Sequence, residues 1–239
     1  MNKYLDCHSH ILYGIDDGAK TIEDSIEILK NLSNIGFEEI ILTPHYKNAY
    51  HANNKIKQER YEILKKKIKE ENINLKLYLA NEVRITSNIL ELIEKNEIKL
   101  LGNYLFLELP FNTKINNLER LIFELQTEDI NIILVHPERY SYLTEKDLKQ
   151  LIDLDIMFQI NYESIIGFYG LKSKRRVKYL LKNRMVNFIG TDIHRSEQLN
   201  EKNFNKIKKK ITKIIGEESF TDISYNNIKK IINESQEQV

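Results

Sequence analysis

The sequence predicts an α/β fold built on a mainly parallel sheet. Short apolar or alternating runs return about seven times along the chain, and longer amphipathic segments separate them. Strands that alternate with helices are typical of a parallel sheet, either open and doubly wound or closed as a barrel. The length of 239 residues fits one barrel, so we expect a single domain over residues 1–239. Periodicity alone does not choose between the open and the closed sheet.

The predicted elements follow one another as repeated strand and helix units. The strand candidates cover 3–8, 38–45, 75–82, 104–109, 131–136, 156–161 and 186–192. The helix candidates lie near 22–35, 54–71, 87–95, 116–127, 145–153 and 173–183, and amphipathic segments near 201–214 and 223–233 follow them. The three prolines fall at or just after a strand candidate, at Pro44, Pro110 and Pro137. Since proline cannot donate to a sheet ladder, each is expected where a strand gives way to a loop.

The first helix carries local start and stop signals. Thr21 is expected to cap its N-terminus, with Asp24 three residues later as a weaker form of the capping box. Gly36 is expected to end it, because glycine readily adopts the left-handed conformation of a helix C-terminus.

Composition limits the classes of function. The 36 Lys and Arg nearly balance the 35 Asp and Glu, so no net charge favours nucleic acid or an anionic membrane. Cys7 is the one cysteine, which excludes an intramolecular disulfide and fits a reducing compartment. No apolar stretch reaches the length of a membrane span or a secretory h-region. We therefore expect a cytoplasmic protein without membrane insertion, and the oligomeric state stays open.

Histidines and acids stand at or just beyond the C-terminal ends of the strand candidates. They are His8, His10, His45, Glu82, Glu108, His136, Asp192 and His194. In a closed barrel these strand ends converge on one face, where active sites of this architecture are built. Side chains two apart on a strand point to the same side, so the HxH and DxH pairs can each bind one metal. Their combination is the most specific signal in the chain.

The donors are imidazoles and carboxylates without a thiolate, which suits Mn²⁺, Zn²⁺ or Fe²⁺. Together with Asp17 they number nine, more than one ion can use, so two or three metals are implied. Asp16-Asp17-Gly18 is by itself as much a turn signal as a metal signal. A single histidine in a strand, or Glu108 by itself, would not indicate a metal site.

Arg139 is the candidate that could hold a phosphate, three residues after His136. Its planar guanidinium donates two parallel hydrogen bonds to phosphate oxygens. The alternative is a surface salt bridge with Glu138 or Asp147. Arg195 and Arg84 are weaker candidates of the same kind.

Other chemistry-bearing residues have simpler interpretations. Cys7 points away from His8 and His10 and is expected to pack, since no CxxxxxR loop follows it. His51 is expected in an exposed loop, and the KIKKK run at 206–210 on a solvated helix face. Aromatic residues that could flank a substrate ring, or simply pack, are Tyr13, Tyr46, Tyr140 and Phe168.

These motifs together resemble the polymerase and histidinol phosphatase (PHP) family. They are HSH at 8–10, DDG at 16–18, TPH at 43–45, NE at 81–82, LELP at 107–110, HPERY at 136–140 and TDIH at 191–194. DDG, LELP and HPERY are similar to the manganese-dependent protein-tyrosine phosphatases of bacterial capsule and exopolysaccharide loci. Beyond His194 the sequence gives no motif that can be matched to the family, so the resemblance assigns no role to the arginine in that stretch.

The resemblance implies a distorted seven-stranded (β/α)7 barrel, similar to a TIM barrel, that holds three metal ions. One ion would be bound by His8, His10, Glu82 and Asp192, a second by Glu82, Glu108 and His136, and a third by Asp17, His45 and His194. Mn²⁺ is expected, with Zn²⁺ or Fe²⁺ as alternatives. The implied partner is the phosphotyrosine tail of a cognate bacterial tyrosine autokinase.

The expected reaction is attack of metal-bound hydroxide on phosphorus, with Arg139 and, more weakly, Arg195 holding the substrate. Two alternatives stay open. One is a small-molecule phosphatase of the same family that acts on histidinol phosphate or a nucleotide. The other is a noncatalytic, metal-stabilised protein that binds the kinase tail.

Overall fold

The computed structural model describes residues 3–47, 50 and 52–237, so His51 lies outside the described residues. Within these ranges the strands are β1 (Tyr4–Ser9), β2 (Phe37–Leu42), β3 (His45–Tyr46), β4 (Lys76–Leu79), β5 (Glu82–Arg84), β6 (Tyr104–Glu108), β7 (Asn131–Val135), β8 (Met157–Asn161) and β9 (Phe188–Gly190). The helices are α1 (Ile22–Ile35), α2 (Asn54–Glu70), α3 (Ile89–Glu94), α4 (Leu118–Thr127), α5 (Glu145–Asp153), α6 (Gly170–Lys182), α7 (Glu201–Ile215), α8 (Glu217–Thr221) and α9 (Asn227–Glu237).

The strands form two parallel sheets, and the predicted α/β class is confirmed. One sheet has the order β1-β2-β4 and the other the order β3-β5-β6-β7-β8-β9. Every strand pair is parallel. The strands are buried along nearly their whole length, as expected when helices cover a parallel sheet.

Two strand candidates are each divided into two strands, which corrects the prediction. The candidate 38–45 becomes β2 and β3 because Pro44 has no N–H for the ladder. The candidate 75–82 becomes β4 and β5. Hydrogen bonds from Ala80 N to Leu42 O (3.0 Å) and from Glu82 N to Pro44 O (3.3 Å) bridge both breaks. His45 and Glu82 therefore begin strands instead of ending them.

Backbone hydrogen bonds also connect β1 with the segment that follows β9. Asp192 N donates to His8 O (2.8 Å), and His10 N donates to Ile193 O (3.0 Å). The buried Asp6 carboxylate accepts from Thr191 N (2.8 Å) and Thr191 Oγ1 (2.6 Å). These contacts hold the two motifs HSH and TDIH side by side.

The predicted helix signals of α1 are confirmed. Thr21 and Asp24 form the full capping box, and Gly36 ends the helix at a φ of 108° with its N–H bonded to the carbonyls of the last turn. The predicted segment 223–233 is interrupted, since a π-helical turn over 222–226 precedes α9. None of the helices in the described ranges is long and apolar enough to span a membrane.

Candidate metal centre

Four ligand atoms from three separate parts of the chain converge in the interior. His8 Nε2 and His10 Nε2 are 3.2 Å apart, and His10 Nε2 lies 3.2 Å from Glu82 Oε2 and 3.3 Å from Asp192 Oδ1. His8 Nε2 lies 3.5 Å from Glu82 Oε2 and 3.7 Å from Asp192 Oδ1. Donors bound to one ion at about 2.1 Å are separated by roughly 3.0–3.4 Å in octahedral or tetrahedral geometry. The ligand atoms of His8, His10 and Glu82 lie within 4.8 Å of one another and form one candidate group of metal ligands, and Asp192 Oδ1 lies beside both histidines.

A second group lies beside the first, towards the surface. Asp17, His45 and His194 each bring one ligand atom within 4.8 Å of the others, and His10 joins them. Asp17 Oδ1 lies 3.5 Å from His45 Nε2 and 3.7 Å from His194 Nε2. The family resemblance implied that these three residues bind one ion, and the structure brings them together.

Glu82 also connects the interior group to the remaining ligand candidates. Glu82, Glu108 and His45 form a third group of ligand atoms. His136 Nε2 lies 2.9 Å from Glu82 Oε1 but is outside this group. The structure thus places His45, and not His136, in one group with Glu82 and Glu108, while His136 contacts Glu82 alone of these two acids.

Several polar atoms in this cluster are buried and yet accept or donate no hydrogen bond among the described residues. They include Glu82 Oε2, His45 Nδ1, His136 Nδ1 and Asp17 Oδ1. His45 Nδ1 and Glu82 Oε2 are only 2.7 Å apart, but their orientation does not meet hydrogen-bond geometry. Buried polar atoms without partners are costly, whereas lone pairs that face a cation are satisfied. The cluster therefore fits metal ions.

Two residues that the sequence reasoning did not assign hold the first two histidines. Asp16 Oδ2 lies 2.7 Å from His10 Nδ1, and Gln159 Oε1 lies 3.0 Å from His8 Nδ1. Such contacts place the proton on Nδ1 and leave the Nε2 lone pair for a metal. Asp16 precedes the predicted ligand Asp17 by one residue, but nothing local in the sequence separates the two roles.

The acids and imidazoles shift one another's pKa. Burial opposes ionisation of Glu82, but His45 and His8 lower its pKa well below the usual range. Burial, and then the charge of Glu82, raises the pKa of Glu108 to about 7. Burial lowers the pKa of His136 to about 4, so this imidazole is neutral and able to bind a metal at neutral pH.

The DDG turn reaches the cluster because Gly18 lies directly against strand β1. A Cβ atom on Gly18 would stand 1.9 Å from His10 O, so no larger residue fits there. Arg195 Nη1 donates to the carbonyl oxygens of Asp17 (2.9 Å) and Gly18 (2.7 Å). Arg195 thereby fixes the loop that carries Asp17, and its side chain is exposed.

Arg139 lies at the cluster, and the alternative salt bridge with Glu138 or Asp147 is wrong. Its Nη1 donates to Asp192 Oδ2 (2.8 Å), and its guanidinium lies between the rings of Phe111 (4.5 Å) and Tyr169 (4.3 Å). The Glu138 carboxylate instead accepts from Asn161 N and Ser164 Oγ, and Asp147 caps α5 and binds Lys114.

Asp192 Oδ2 is further held by Asn161 Nδ2 (2.7 Å) and by Tyr169 OH (3.3 Å). With Arg139 these donors occupy Oδ2 and leave Oδ1 for the first group of ligand atoms. Asn161, Tyr169 and Phe111 carry no motif that sequence reasoning could have used, because their partners are distant in the chain.

The other side chains that the sequence offered for the site either pack in the interior or lie at the surface. Arg84 Nε donates to Glu108 Oε2 (2.8 Å). Tyr140 is fully buried, with its hydroxyl bonded to the backbone of Val135 and Leu109, and therefore packs. Phe168 is 59% exposed. Cys7 is free and buried, as predicted.

Glu163 is a buried acid near this centre whose carboxylate accepts no hydrogen bond from the described residues. Burial raises its pKa well above the usual range. Because the folded chain then keeps a proton that the unfolded chain releases, the group lowers stability as pH rises above about 4.3. We expect Glu163→Met to raise the free energy of unfolding by about 1–2 kcal/mol near pH 8, with a smaller gain near pH 5.

Denaturant unfolding at both pH values measures this change, and Glu59→Met on the exposed face of α2 is the control. An equal gain at both pH values, or a loss at the higher one, would show that the Glu163 carboxylate is ionised in the folded chain.

Comparison with known proteins gives one consistent family. The family described as capsular polysaccharide synthesis, CpsB/CapC, matches residues 4–233. CapC of Staphylococcus aureus is 33% identical over 196 residues, which cover 80% of this chain and 76% of CapC. A chain from the crystal structures of YwqE from Bacillus subtilis and CpsB from Streptococcus pneumoniae, which are metal-dependent tyrosine phosphatases, superposes with a TM-score of 0.89. It is 26% identical, and the match covers 96% of this chain and 94% of that one.

A more distant structure shows the likeness of fold alone. Histidinol phosphate phosphatase of Lactococcus lactis has a TM-score of 0.55 at 17% identity, over 88% of this chain and 93% of that chain.

Proposed function

Since this chain belongs to the CpsB/CapC family of capsular polysaccharide synthesis proteins, we propose that it is a metal-dependent protein-tyrosine phosphatase. The observation that carries the proposal is the convergence of His8, His10 and Glu82, whose ligand atoms lie within 4.8 Å of one another, with Asp192 Oδ1 3.3 Å from His10 Nε2. The family includes tyrosine phosphatases, and a chain from the crystal structures of metal-dependent tyrosine phosphatases superposes on this one with a TM-score of 0.89.

Nine residues are proposed as ligands of three metal ions, with Mn²⁺ as the expected metal. The first ion would be held by His8, His10, Glu82 and Asp192, the second by Glu82, Glu108 and His136, and the third by Asp17, His45 and His194. The grouping of His8 with His10 and Glu82, the grouping of Asp17 with His45 and His194, and the 2.9 Å contact of His136 Nε2 with Glu82 Oε1 support this division. Nitrogen and oxygen donors without thiolate favour Mn²⁺ over softer metals.

Bound ions would supply positive charge to the phosphoryl group and lower the pKa of water. The protein's part is to position the phosphate, and Arg139 is proposed for this role. Its Nη1 is bonded to Asp192, but Nη2 and Nε have no such partner among the described residues. Phe111 and Tyr169 both pack against the guanidinium, so its position is restrained before the substrate arrives.

Two further side chains beside the candidate site, Phe168 and Arg195, have proposed roles. Phe168, exposed beside Tyr169, is proposed to flank the phenyl ring of phosphotyrosine. Arg195 is proposed to act mainly by holding the loop of Asp17, since three backbone carbonyls already engage its Nη1.

The proposed partner is the phosphotyrosine tail of a bacterial tyrosine autokinase in capsular or exopolysaccharide synthesis. It rests on the family of the chain. We propose that the protein works in the cytoplasm, where such a tail and an unpaired Cys7 thiol would both be found.

We also propose that residues 1–239 form one domain and that the strands close as a distorted seven-stranded barrel. In this arrangement β2 with β3, and β4 with β5, each count as one strand. The hydrogen bonds of Ala80 and Glu82 across the breaks and those between β1 and the segment after β9 support closure.

The test of the function is hydrolysis with and without metal. Exhaustive chelation should abolish release of phosphate from a phosphotyrosine peptide, and Mn²⁺ should restore it better than Zn²⁺. A thiol-blocking reagent should leave the rate unchanged, because Cys7 is buried in an apolar cluster and is not one of the candidate ligands.

Histidinol phosphate serves as the competing substrate. A kcat/KM higher for histidinol phosphate than for the peptide would assign a small-molecule phosphatase. Binding of the peptide without phosphate release in the Mn²⁺-loaded protein would assign a binding protein. Full activity after chelation would exclude the metal-dependent reaction.

A further inference from the structure

The near-zero net charge of the chain conceals a strong separation of charge. Helices α6 and α7 together contain twelve Lys or Arg and one acid, Glu201. The remaining residues contain 24 Lys or Arg against 34 Asp or Glu. The two helices are neighbours in space. One side of the protein is therefore strongly positive, and the rest is negative.

The basic side chains of this surface are exposed and largely without partners. On α7, the exposed Lys202, Lys206, Lys209 and Lys213 recur at intervals of three and four residues and form one stripe. On α6, none of the six basic residues forms a salt bridge with a described residue. We call the exposed Lys and Arg side chains of α6 and α7 the basic face.

Helix α2 is also rich in lysine, but several of its lysines are paired with acids. The lysines of α2 alternate with acids, and Lys65 and Lys67 pair with Glu62 and Glu71. Such pairing is what a merely solvated helix surface shows. Like charges held together without acids repel one another, so a basic face of this kind costs stability unless an anion binds it.

The basic face begins at the candidate site. Tyr169, the residue before α6, contacts Asp192 Oδ2 and the Arg139 guanidinium. Arg176 of α6 donates to Tyr140 O, at the end of the turn that carries Arg139. Helix α7 begins seven residues after the proposed ligand His194. Helix α6 therefore begins at the site and packs along the turn that carries Arg139.

We propose that the basic face is a docking surface for an anionic segment of the phosphorylated protein substrate, adjoining its phosphotyrosine. Helix α6 is about 20 Å long at 1.5 Å per residue, which an extended peptide spans with about six residues. Acidic side chains or further phosphates within that distance of the phosphotyrosine fit the charge of the face. This inference rests on the proposed phosphatase function and adds a preference for anionic substrates.

The experiment compares two reversals of charge. Arg175→Glu/Lys178→Glu changes the exposed face of α6, and Lys66→Glu/Lys69→Glu makes the same change of charge on α2. The probes are a phosphotyrosine peptide flanked by glutamates, the same peptide flanked by glutamines, and a small aryl phosphate. Each is assayed on the Mn²⁺-loaded full chain.

For the glutamate peptide, the α6 variant should show a kcat/KM about tenfold lower than wild type at low salt, mainly through KM. The α2 control should stay within about twofold of wild type, as should both variants on the glutamine peptide and the aryl phosphate. The loss should shrink when the salt concentration rises from about 0.02 M to about 0.5 M, because salt screens exposed charges.

An equal loss on both peptides, or no loss on either, would overturn docking of an anionic segment. Binding to vesicles that contain phosphatidylserine is measured as the last part of the experiment. If the α6 variant loses vesicle binding while its kinetics on the glutamate peptide are unchanged, the face binds membranes and the proposal fails. If wild type hydrolyses none of the three probes, the phosphatase function itself fails, which is a different result.

Discussion

Glu82→Gln is expected to lose both bound metal and at least about a thousandfold in turnover, roughly 4 kcal/mol of transition-state stabilisation. One carboxylate contacts four imidazoles: its Oε2 lies near His8, His10 and His45, and its Oε1 lies near His136. An amide has the same shape but lacks the charge, so it cannot serve two ions at once.

His136→Ala should cost less, because His136 contacts only one of the two Glu82 oxygens. Glu59→Gln, on the exposed face of α2, should change neither quantity. Metal per chain and kcat/KM on a phosphotyrosine peptide are measured on the same preparations. Unchanged metal in Glu82→Gln would refute the assignment of Glu82 as a ligand, and lost metal with intact turnover would refute a catalytic role of the ions.

Arg139→Ala is the second large effect, with kcat/KM expected to fall on the order of a hundredfold, roughly 3 kcal/mol. The lost guanidinium is a positioned donor to the charge of the phosphoryl group. Arg139→Lys should recover only part of the loss, because an ammonium lacks the planar fork and cannot lie between Phe111 and Tyr169 in the same way.

A control is needed because Arg139 Nη1 also holds Asp192, a proposed ligand. Asn161→Ala removes another donor to the same Asp192 oxygen without removing a cation. If Arg139 binds phosphate, its variant should lose much more activity than Asn161→Ala and should weaken inhibition by inorganic phosphate. Equal losses in the two variants, with unchanged inhibition by phosphate, would leave Arg139 as a support of Asp192 only.

Local pattern was sufficient for the ends of the first helix and for the order of strands and helices. Thr21, Asp24 and Gly36 fixed the ends of α1 because capping uses residues within one helical turn. The alternation of strands and helices also predicted the parallel α/β class, because the hydrophobic periods of strands and helices are visible within short segments of the chain. The closed or open form of the sheet had no local signal.

Position along the chain also identified which side chains meet. His8, His45, Glu82 and Asp192 are far apart in sequence, but the predicted strands placed each of them at or just beyond a C-terminal strand end, and parallel strands bring such ends to one side. The separation of charge was likewise present in the sequence, although the net charge of +1 conceals it.

The tertiary structure decided the contacts that depend on register and on distant partners. The pairing of His45 with Glu82 follows from the breaks after β2 and β4, which the apolar runs do not reveal. The sequence offered Glu138 and Asp147 as partners of Arg139 because they are near in the chain, whereas the folded protein places Asp192 there.

Asp16 and Asp17 are adjacent and chemically identical, and only the turn at Gly18 directs one to His10 Nδ1 and the other to His45 and His194. Sequence period determines the face on which a side chain lies, but the partner of a hydrogen bond depends on ångström-scale distances that packing alone sets.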